Sequence, residues 1–499
     1  MSQGVRSLTQ QLSEFVAETR YEDLPEPVIH ESKRLLLDIV GCALGALHTE
    51  SAQIALSYVR GMGGSPGSTV LGLERSSSPM NAAYANARMA NILDADDTFP
   101  TTTHFGNATV FSSLALAEHY GRSGRDLVTA IAVGFDVGAR IGNWMGTPFT
   151  IRDGKVVGWN DLGGPSATVT WAAAAASARI SNLTPFQVNH AFGIAGANSP
   201  QPTIRKWAEA DVQSMYKYAD AGWCAQAGVS ASLLAGLGST GMLNILDGAN
   251  GFWRFYGSPS HDDEALVHEL GTDWQILNTT YKPWPCCRWI HHPLTAFTSL
   301  LRQHSLQPDE IERIVVRANP FALTPIFREQ QPRDALTAEF SHPHAMAMAA
   351  YRVSPGADWY APEVLSAPHI RALRARVTVE PEPRSANIAE LMDGGQWRAM
   401  PGGVDVYARG TLFSATSDYA LGDPWLEETR LSDQELINKF RIMAQTTKEP
   451  VHENLRRAEL IEQSATDLLG ADTITKVRDL IGPIRQLASP SLQPRTPSV

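Results

Sequence analysis

Residues 91–104 read Asn91-Ile-Leu-Asp94-Ala-Asp96-Asp97-Thr98-Phe-Pro-Thr-Thr-Thr-His104. Three carboxylates, four threonines and a histidine fall within these fourteen positions. On either side, Ala-rich runs at 80–93 and 107–120 predict helices. A run of carboxylates beside an imidazole offers groups that accept and donate a proton at close range, as proton-transfer chemistry requires. The same residues also suit a solvated helix end, with the aspartates as surface charge and the threonines as caps. As a third reading, the carboxylates could hold a magnesium ion. The surroundings decide among these.

Working outward, residues 5–20 and 25–48 read as helices, the second entered through Pro25 and Pro27, which a first helical turn tolerates. Its apolar positions Val28, Leu35, Leu36, Ile39, Val40, Leu44 and Leu47 recur at helical spacing. Gly41, Ala43, Gly45 and Ala46 leave room for a close helix neighbour. Residues 62–79 are rich in Gly and Ser and predict a loop or short ribbon. Helical patterns continue through 125–142, 165–182, 184–196 and 212–246, with a Gly- and Trp-containing loop at 143–164 and no long strand before about residue 277. Strands are then expected at 311–317, 375–380 and 403–409 from β-branched content and alternation, with a helix at 335–351. Helices return at 432–445, where Ser432 and Glu435 form a capping box, and at 452–480. The fold class is therefore mainly α. A large helical domain is expected from 1–276 and 427–485, with a smaller α+β domain inserted at 277–426 and a disordered tail at 486–499.

The composition excludes several function classes. The formal net charge of -11 argues against nucleic-acid or anionic-membrane partners, which need a basic surface. No run of 18 apolar residues predicts a spanning helix. The N-terminus lacks the apolar core of a signal peptide, so a cytoplasmic location is expected. Cys42, Cys224, Cys286 and Cys287 form no CxxC pair, neither a disulfide framework nor a zinc signature.

Two further clusters carry chemistry. Ser214-Met-Tyr-Lys217-Tyr-Ala-Asp220-Ala-Gly222-Trp-Cys-Ala225-Gln-Ala-Gly228 puts Lys217 and Asp220 three apart, on one face if the segment is helical. Its apolar setting predicts burial, and a buried lysine needs a carboxylate partner. Tyr281-Lys282-Pro-Trp284-Pro-Cys286-Cys287-Arg-Trp-Ile-His291-His292 holds Lys282 in an extended entry and starts a helix near His291. DxDxT and DxDD strings also occur at Asp94–Thr98. The first belongs to a phosphatase class in which that Asp ends a buried strand, unlike the Ala/Asn-rich helix here. The second occurs in class II terpene cyclases, and nothing else in the chain supports it.

In order and spacing these clusters resemble the MmgE/PrpD family, which includes 2-methylcitrate dehydratase, cis-aconitate decarboxylase and iminodisuccinate epimerase. The resemblance starts at Leu24-Pro25 and Arg34–Gly41. It runs through Asp94–His104, the K-x-x-x-x-G-x-x-A-x-x-G pattern at Lys217, the Lys282–His291 stretch and Ala338-Glu-Phe-Ser341. It implies a helical domain built from both chain ends, an α+β lid, a homodimer, no organic cofactor or metal, and a site between the domains. By motif, Asp94, Thr98, His104, Lys217 and Lys282 take catalytic positions and His291 a binding one. Two family histidines are replaced, one by Asn160 or Asp161 and one by Asp220. An added aspartate would repel a tri-anion. Trp159, Trp223, Trp284 and Trp289 lie in or beside the motifs, so a substrate with fewer charges and more apolar or ring surface is expected, with Trp284 among its contacts. The reading is a cofactor-independent lyase, a dehydratase or decarboxylase acting next to a carboxylate. In it His104, oriented by Asp94, exchanges the proton, and Lys217 and Lys282 stabilise the developing charge. An epimerase or isomerase using the same proton abstraction, or a non-catalytic ligand-binding relative, are the alternatives.

Overall fold

The structure is a computed structural model that describes residues 6–101, 103–146, 149–152, 155–159, 166–200, 206–207, 210, 213–217, 219–258, 260–393, 396–445 and 451–489. It is mostly helical with a small mixed sheet. The helix Glu26–Ala46 is buried along nearly its whole length and packs against the C-terminal helix Asp433–Ala444. Its glycines allow that approach. A Cβ on Gly41 would stand 3.0 Å from Phe440 Cδ2, and one on Gly45 2.7 Å from Met443 Sδ. The two chain ends thus meet, and Ser432 and Glu435 form the expected capping box.

The Ala-rich helix Ser166–Ile180 packs between Gly124–Met145 and Ala221–Gly236. Small residues meet on both sides. A Cβ on Gly134 or Gly138 would come within 2.6 Å of the methyl of Ala176 or Ala172, and one on Gly228 within 2.6 Å of that of Ala173. Interiors packed this closely leave no room for an added methyl without backbone shifts.

The four-stranded sheet runs, in spatial order, Val377–Pro381, Ile311–Ala318, Gly402–Ala408 and Thr411–Ser417. The first pair is parallel, with Ile314 beside Val377, and the others are antiparallel. The helix Arg288–Gln303 packs against it. A single backbone bridge ties the acidic stretch to the residues leading into that helix: Thr98 and Thr280 exchange N–H···O bonds of 2.9 Å each. That bridge brings Asp94–His104 and Lys282 to one place.

Four expectations need correction. The segment expected as loop at 143–164 contains the antiparallel strands Phe149–Arg152 and Lys155–Trp159. The sheet has a fourth strand, Thr411–Ser417. Lys217 lies in a turn, and the helix starts only at Ala221. The chain is helical through Leu487, which is buried, so the stretch expected as tail begins inside a helix, while 490–499 lie outside the described residues. Among the described residues no single helix is long and apolar enough to cross a membrane.

Candidate active site

The acidic stretch is no solvated helix end: Asp94, Asp96 and Asp97 are at most 1% exposed. After the helix Pro79–Asn91 the chain turns sharply, with Asp94 in the left-handed region at φ 49°, a conformation Asp tolerates better than most side chains. Asp96 Oδ2 accepts from Asn91 Nδ2 (2.9 Å) and Asn107 Nδ2 (2.7 Å). Asp97 Oδ1 accepts from the Gly106 N–H at 2.9 Å, at the start of the helix Gly106–Tyr120. Only glycine fits at 106, because a Cβ would lie 2.5 Å from that oxygen. Burial, then the charges of Asp96 and Asp38, push the Asp97 carboxyl well above its usual range.

His104 Nδ1 lies 2.7 Å from the Asp97 carbonyl oxygen. A carbonyl only accepts, so Nδ1 carries the proton and the neutral ring presents its lone pair at Nε2. Nε2 is 4.0 Å from Asp94 Oδ1, beyond hydrogen-bonding distance, and Nδ1 is 3.6 Å from Asp96 Oδ2. The orienting group is therefore the Asp97 carbonyl and not, as expected, Asp94. Burial, followed by the Lys282 charge, lowers the His104 pKa below the usual imidazole value.

Both lysines converge on Asp94. Lys217, in the left-handed region at φ 55°, puts Nζ 2.8 Å from Asn91 O, 3.3 Å from Asp94 Oδ1 and 3.1 Å from Glu339 Oε2. Lys282, fully buried, donates to Asp94 O at 2.8 Å and lies 3.4 Å from Asp94 Oδ1. Burial would raise the Asp94 pKa, but Lys217, Lys282 and His104 hold it far below the usual carboxylate range. The same carboxylate raises the Lys217 pKa against the pull of burial. Behind the site, Lys439 donates to Asp38 Oδ1 and to Ala95 O, both at 2.6 Å, so the C-terminal helix braces the acidic turn.

Asp94, Asp96 and His104 offer three ligand atoms within 4.8 Å of one another. A cation there would meet two ammonium groups already paired with Asp94, so the donor set suits lysines better than a metal.

The remaining expected residues divide. His291 donates from Nε2 to Cys286 O at 3.1 Å, and the Trp284 ring lies 5.4 Å from its ring. Among the described residues the Thr98 hydroxyl, which is buried, has no hydrogen-bond partner; it lies beside the bridge that positions Lys282. Asp220 is elsewhere. It caps the helix Ala221–Gly236, accepting from Gly222 N at 2.7 Å and Trp223 N at 3.4 Å, and it pairs with Arg88. Its carboxylate is thus engaged by the helix start and by Arg88. Asp220→Asn is expected to cost about 2 kcal/mol, the scale of a hydrogen bond to a charged group, with kcat/KM within about twofold; denaturant melts and kinetics check both. Trp223 packs with Tyr58 and Tyr84 and Trp289 stacks on Phe327, which leaves Trp284 beside the site. Asn160 and Asp161 lie outside the described residues. Sequence reasoning did not assign Glu339, Lys439 or Asn107. Glu339 stood in a quoted motif, but its partner is Lys217, far away in sequence.

Residues 10–264 match the family model for the MmgE/PrpD N-terminal domain and residues 284–465 that for the MmgE/PrpD C-terminal domain. Among curated proteins, the chain is 27% identical over 316 residues to the cis-aconitate decarboxylase-like protein oryM of Aspergillus oryzae, covering 60% of this chain and 62% of that one. It is 28% identical over 329 residues to the Homo sapiens cis-aconitate decarboxylase, covering 63% and 64%. It is 26% identical over 321 residues to that of Aspergillus terreus, covering 61% and 62%. The matches thus span somewhat under two thirds of these relatives' length.

Proposed function

The chain belongs to the MmgE/PrpD family, and on that premise we propose that it is a lyase removing CO2 or water next to a carboxylate of a small organic acid. The carrying observation is the setting of His104, a largely buried imidazole with Nδ1 tied to the Asp97 carbonyl and Nε2 beside Asp94 and the lysines. Where water is lost, Nε2 takes the proton from a carbon next to a carboxylate; where CO2 is lost, the broken C–C bond supplies the electron pair instead. The electron pair left behind spreads into that carboxylate, where Lys217 and Lys282 stabilise it, as preorganised cations do in a water-poor site. Asp94 holds both ammonium groups at that point before substrate arrives. The chemistry draws on acid, base and cations from the chain itself and needs no organic cofactor.

The relatives named cis-aconitate decarboxylases favour loss of CO2. With Asp220 neutralised by Arg88, an acid of the cis-aconitate kind, with several carboxylates, is the substrate class of choice. Two copies are proposed to form the working homodimer.

The test is a panel of small di- and tricarboxylic acids, cis-aconitate included, incubated with the protein in deuterated water. CO2 or water should be lost from at least one: loss of CO2 puts solvent deuterium at one carbon of the product, and loss of water is accompanied by solvent deuterium in recovered substrate. Deuterium entering recovered substrate with no loss of either points to an epimerase or isomerase. Binding without exchange or loss for every acid overturns the reading.

The direction of the His104 shift sets a pH dependence. The base must be neutral, so on the acid side the rate of proton abstraction falls only when pH drops through the lowered pKa of the ring. Thus kcat/KM should stay level as pH falls through about 6.5, the unperturbed histidine value, and decline below it. An acid limb centred at or above 6.5 contradicts the assignment.

A further inference from the structure

Glu339 ends the short helix Ala335–Glu339 and is 2% exposed. Its backbone carbonyl accepts from Cys287 N at 2.9 Å, which fixes it against the segment that carries Lys282. Its carboxylate meets Lys217 Nζ at 3.1 Å, the ammonium meets Asp94 Oδ1 at 3.3 Å, and His104 Nε2 stands 4.0 Å from that same oxygen. Glu339 and His104 therefore flank one lysine–aspartate pair. Among the described residues Asp94, Lys282, Cys286 and Tyr360 also interact electrostatically with Glu339, and Cys287 touches its backbone. The Tyr360 hydroxyl is buried with no hydrogen-bond partner among the described residues, an unfilled polar group on the Glu339 side of the site.

We propose that Glu339 is the proton donor of this site, working across the Lys217–Asp94 pair from His104. The inference rests on the lyase reading above. Loss of CO2 from an acid of the cis-aconitate type breaks a C–C bond whose pair becomes a new C=C bond. The pair of the old double bond must then take a proton at its far carbon. A neutral His104 with Nδ1 engaged has only a lone pair to offer, so another group must give that proton. Lys217 binds its proton more tightly than a free lysine and is a poor donor. Glu339 is suited to the task, because burial, partly offset by Lys217, raises its carboxyl to about 8, so it stays protonated at neutral pH. Glu339 gives its proton to the carbon, CO2 leaves, and solvent reprotonates the carboxylate, one proton being consumed per turnover. Where water is lost instead, His104 takes the C–H proton and that pair forms the double bond. The departing oxygen keeps the C–O pair, takes the proton from Glu339 and leaves as water. Solvent exchange then resets both groups.

The experiment compares wild type, Glu339→Gln and Glu339→Asp on the acids that the wild type turns over. Product formation and deuterium in recovered substrate are both followed, across pH. Glutamine keeps the size and cannot donate an acidic proton. Product formation should fall by about 100-fold or more in Glu339→Gln, as for loss of a general acid, while His104-dependent exchange into recovered substrate stays within about threefold. The alkaline limb expected near 8 in the wild type, where rate falls as Glu339 loses its proton, should vanish. Glu339→Asp should recover part of the rate and restore an alkaline limb. The proposal is overturned if Glu339→Gln forms product within about threefold of wild type. It is equally overturned if exchange and product fall together in a folded variant, which would make Glu339 a positioning residue acting through Lys217. A wild type inactive on every acid overturns the lyase reading itself, an outcome distinct from both.

Discussion

Replacing His104 by alanine is expected to lower kcat/KM for loss of water, and the rate of solvent exchange into recovered substrate, by about 10²–10⁴-fold, the span over which a positioned acid–base side chain acts, with the fold intact. Among the described residues the ring makes one hydrogen bond, Nδ1 to the Asp97 carbonyl, and losing it costs about 1–3 kcal/mol. The acidic turn keeps its other ties: Asp96 to Asn91 and Asn107, Asp97 to Gly106, and Ala95 O to Lys439. Circular dichroism should match wild type, so the lost rate would report chemistry and not folding. Exchange into recovered substrate should disappear with the ring, because among the described residues no other neutral base stands at that position. His291 is no substitute. Burial, then the charges of Lys282 and Arg288, hold its pKa well below the usual range, and its Nε2 donates to Cys286 O. Activity within about tenfold of wild type would show that another group moves the proton.

Much of this site was legible in the sequence because its parts are local. Asp94 and His104 stand ten residues apart, and proline-fixed Lys282 enters beside them. The helices were legible for the same reason, from Ala-rich runs and the small residues Gly41 and Gly45. What escaped depends on contacts between distant segments. Lys217 read as helical because nothing in Met-Tyr-Lys-Tyr breaks a helix, yet its contacts with Asp94 and Glu339 accompany a backbone at φ 55°. Asp220 read as a site residue, although Asp-Ala-Gly is itself an N-cap signal and its Arg88 partner lies 132 positions away. The strand Thr411–Ser417 follows a two-residue turn, Arg409-Gly410, with both φ values positive. That is the type I′ geometry of tight hairpins, and arginine, in place of asparagine or aspartate, disguised it.

The largest stability effect should come from Asp94. Lys282 is fully buried and Lys217 is 6% exposed, and both ammonium groups face one Asp94 oxygen. Removing one partner of a buried ion pair typically costs 3–5 kcal/mol, because the remaining charge is left unpaired. Asp94→Asn tests this without changing size or the left-handed backbone at φ 49°, which asparagine also adopts readily. Its unfolding free energy is expected to fall by about 3 kcal/mol, read from denaturant midpoints. One compensation is open to the protein. Glu339 is raised by burial and, in smaller part, by the Asp94 charge, and lowered by Lys217. Once Asp94 is neutral, Glu339 becomes the nearby carboxylate that can answer Lys217, so its pKa should drop. In Asp94→Asn the alkaline limb of the residual activity should therefore move below the wild-type position near 8. A variant as stable as wild type to within about 1 kcal/mol, with its alkaline limb unmoved, would mean that the two ammonium groups are held by something other than Asp94. The electrostatic account of the site would then fail at its centre.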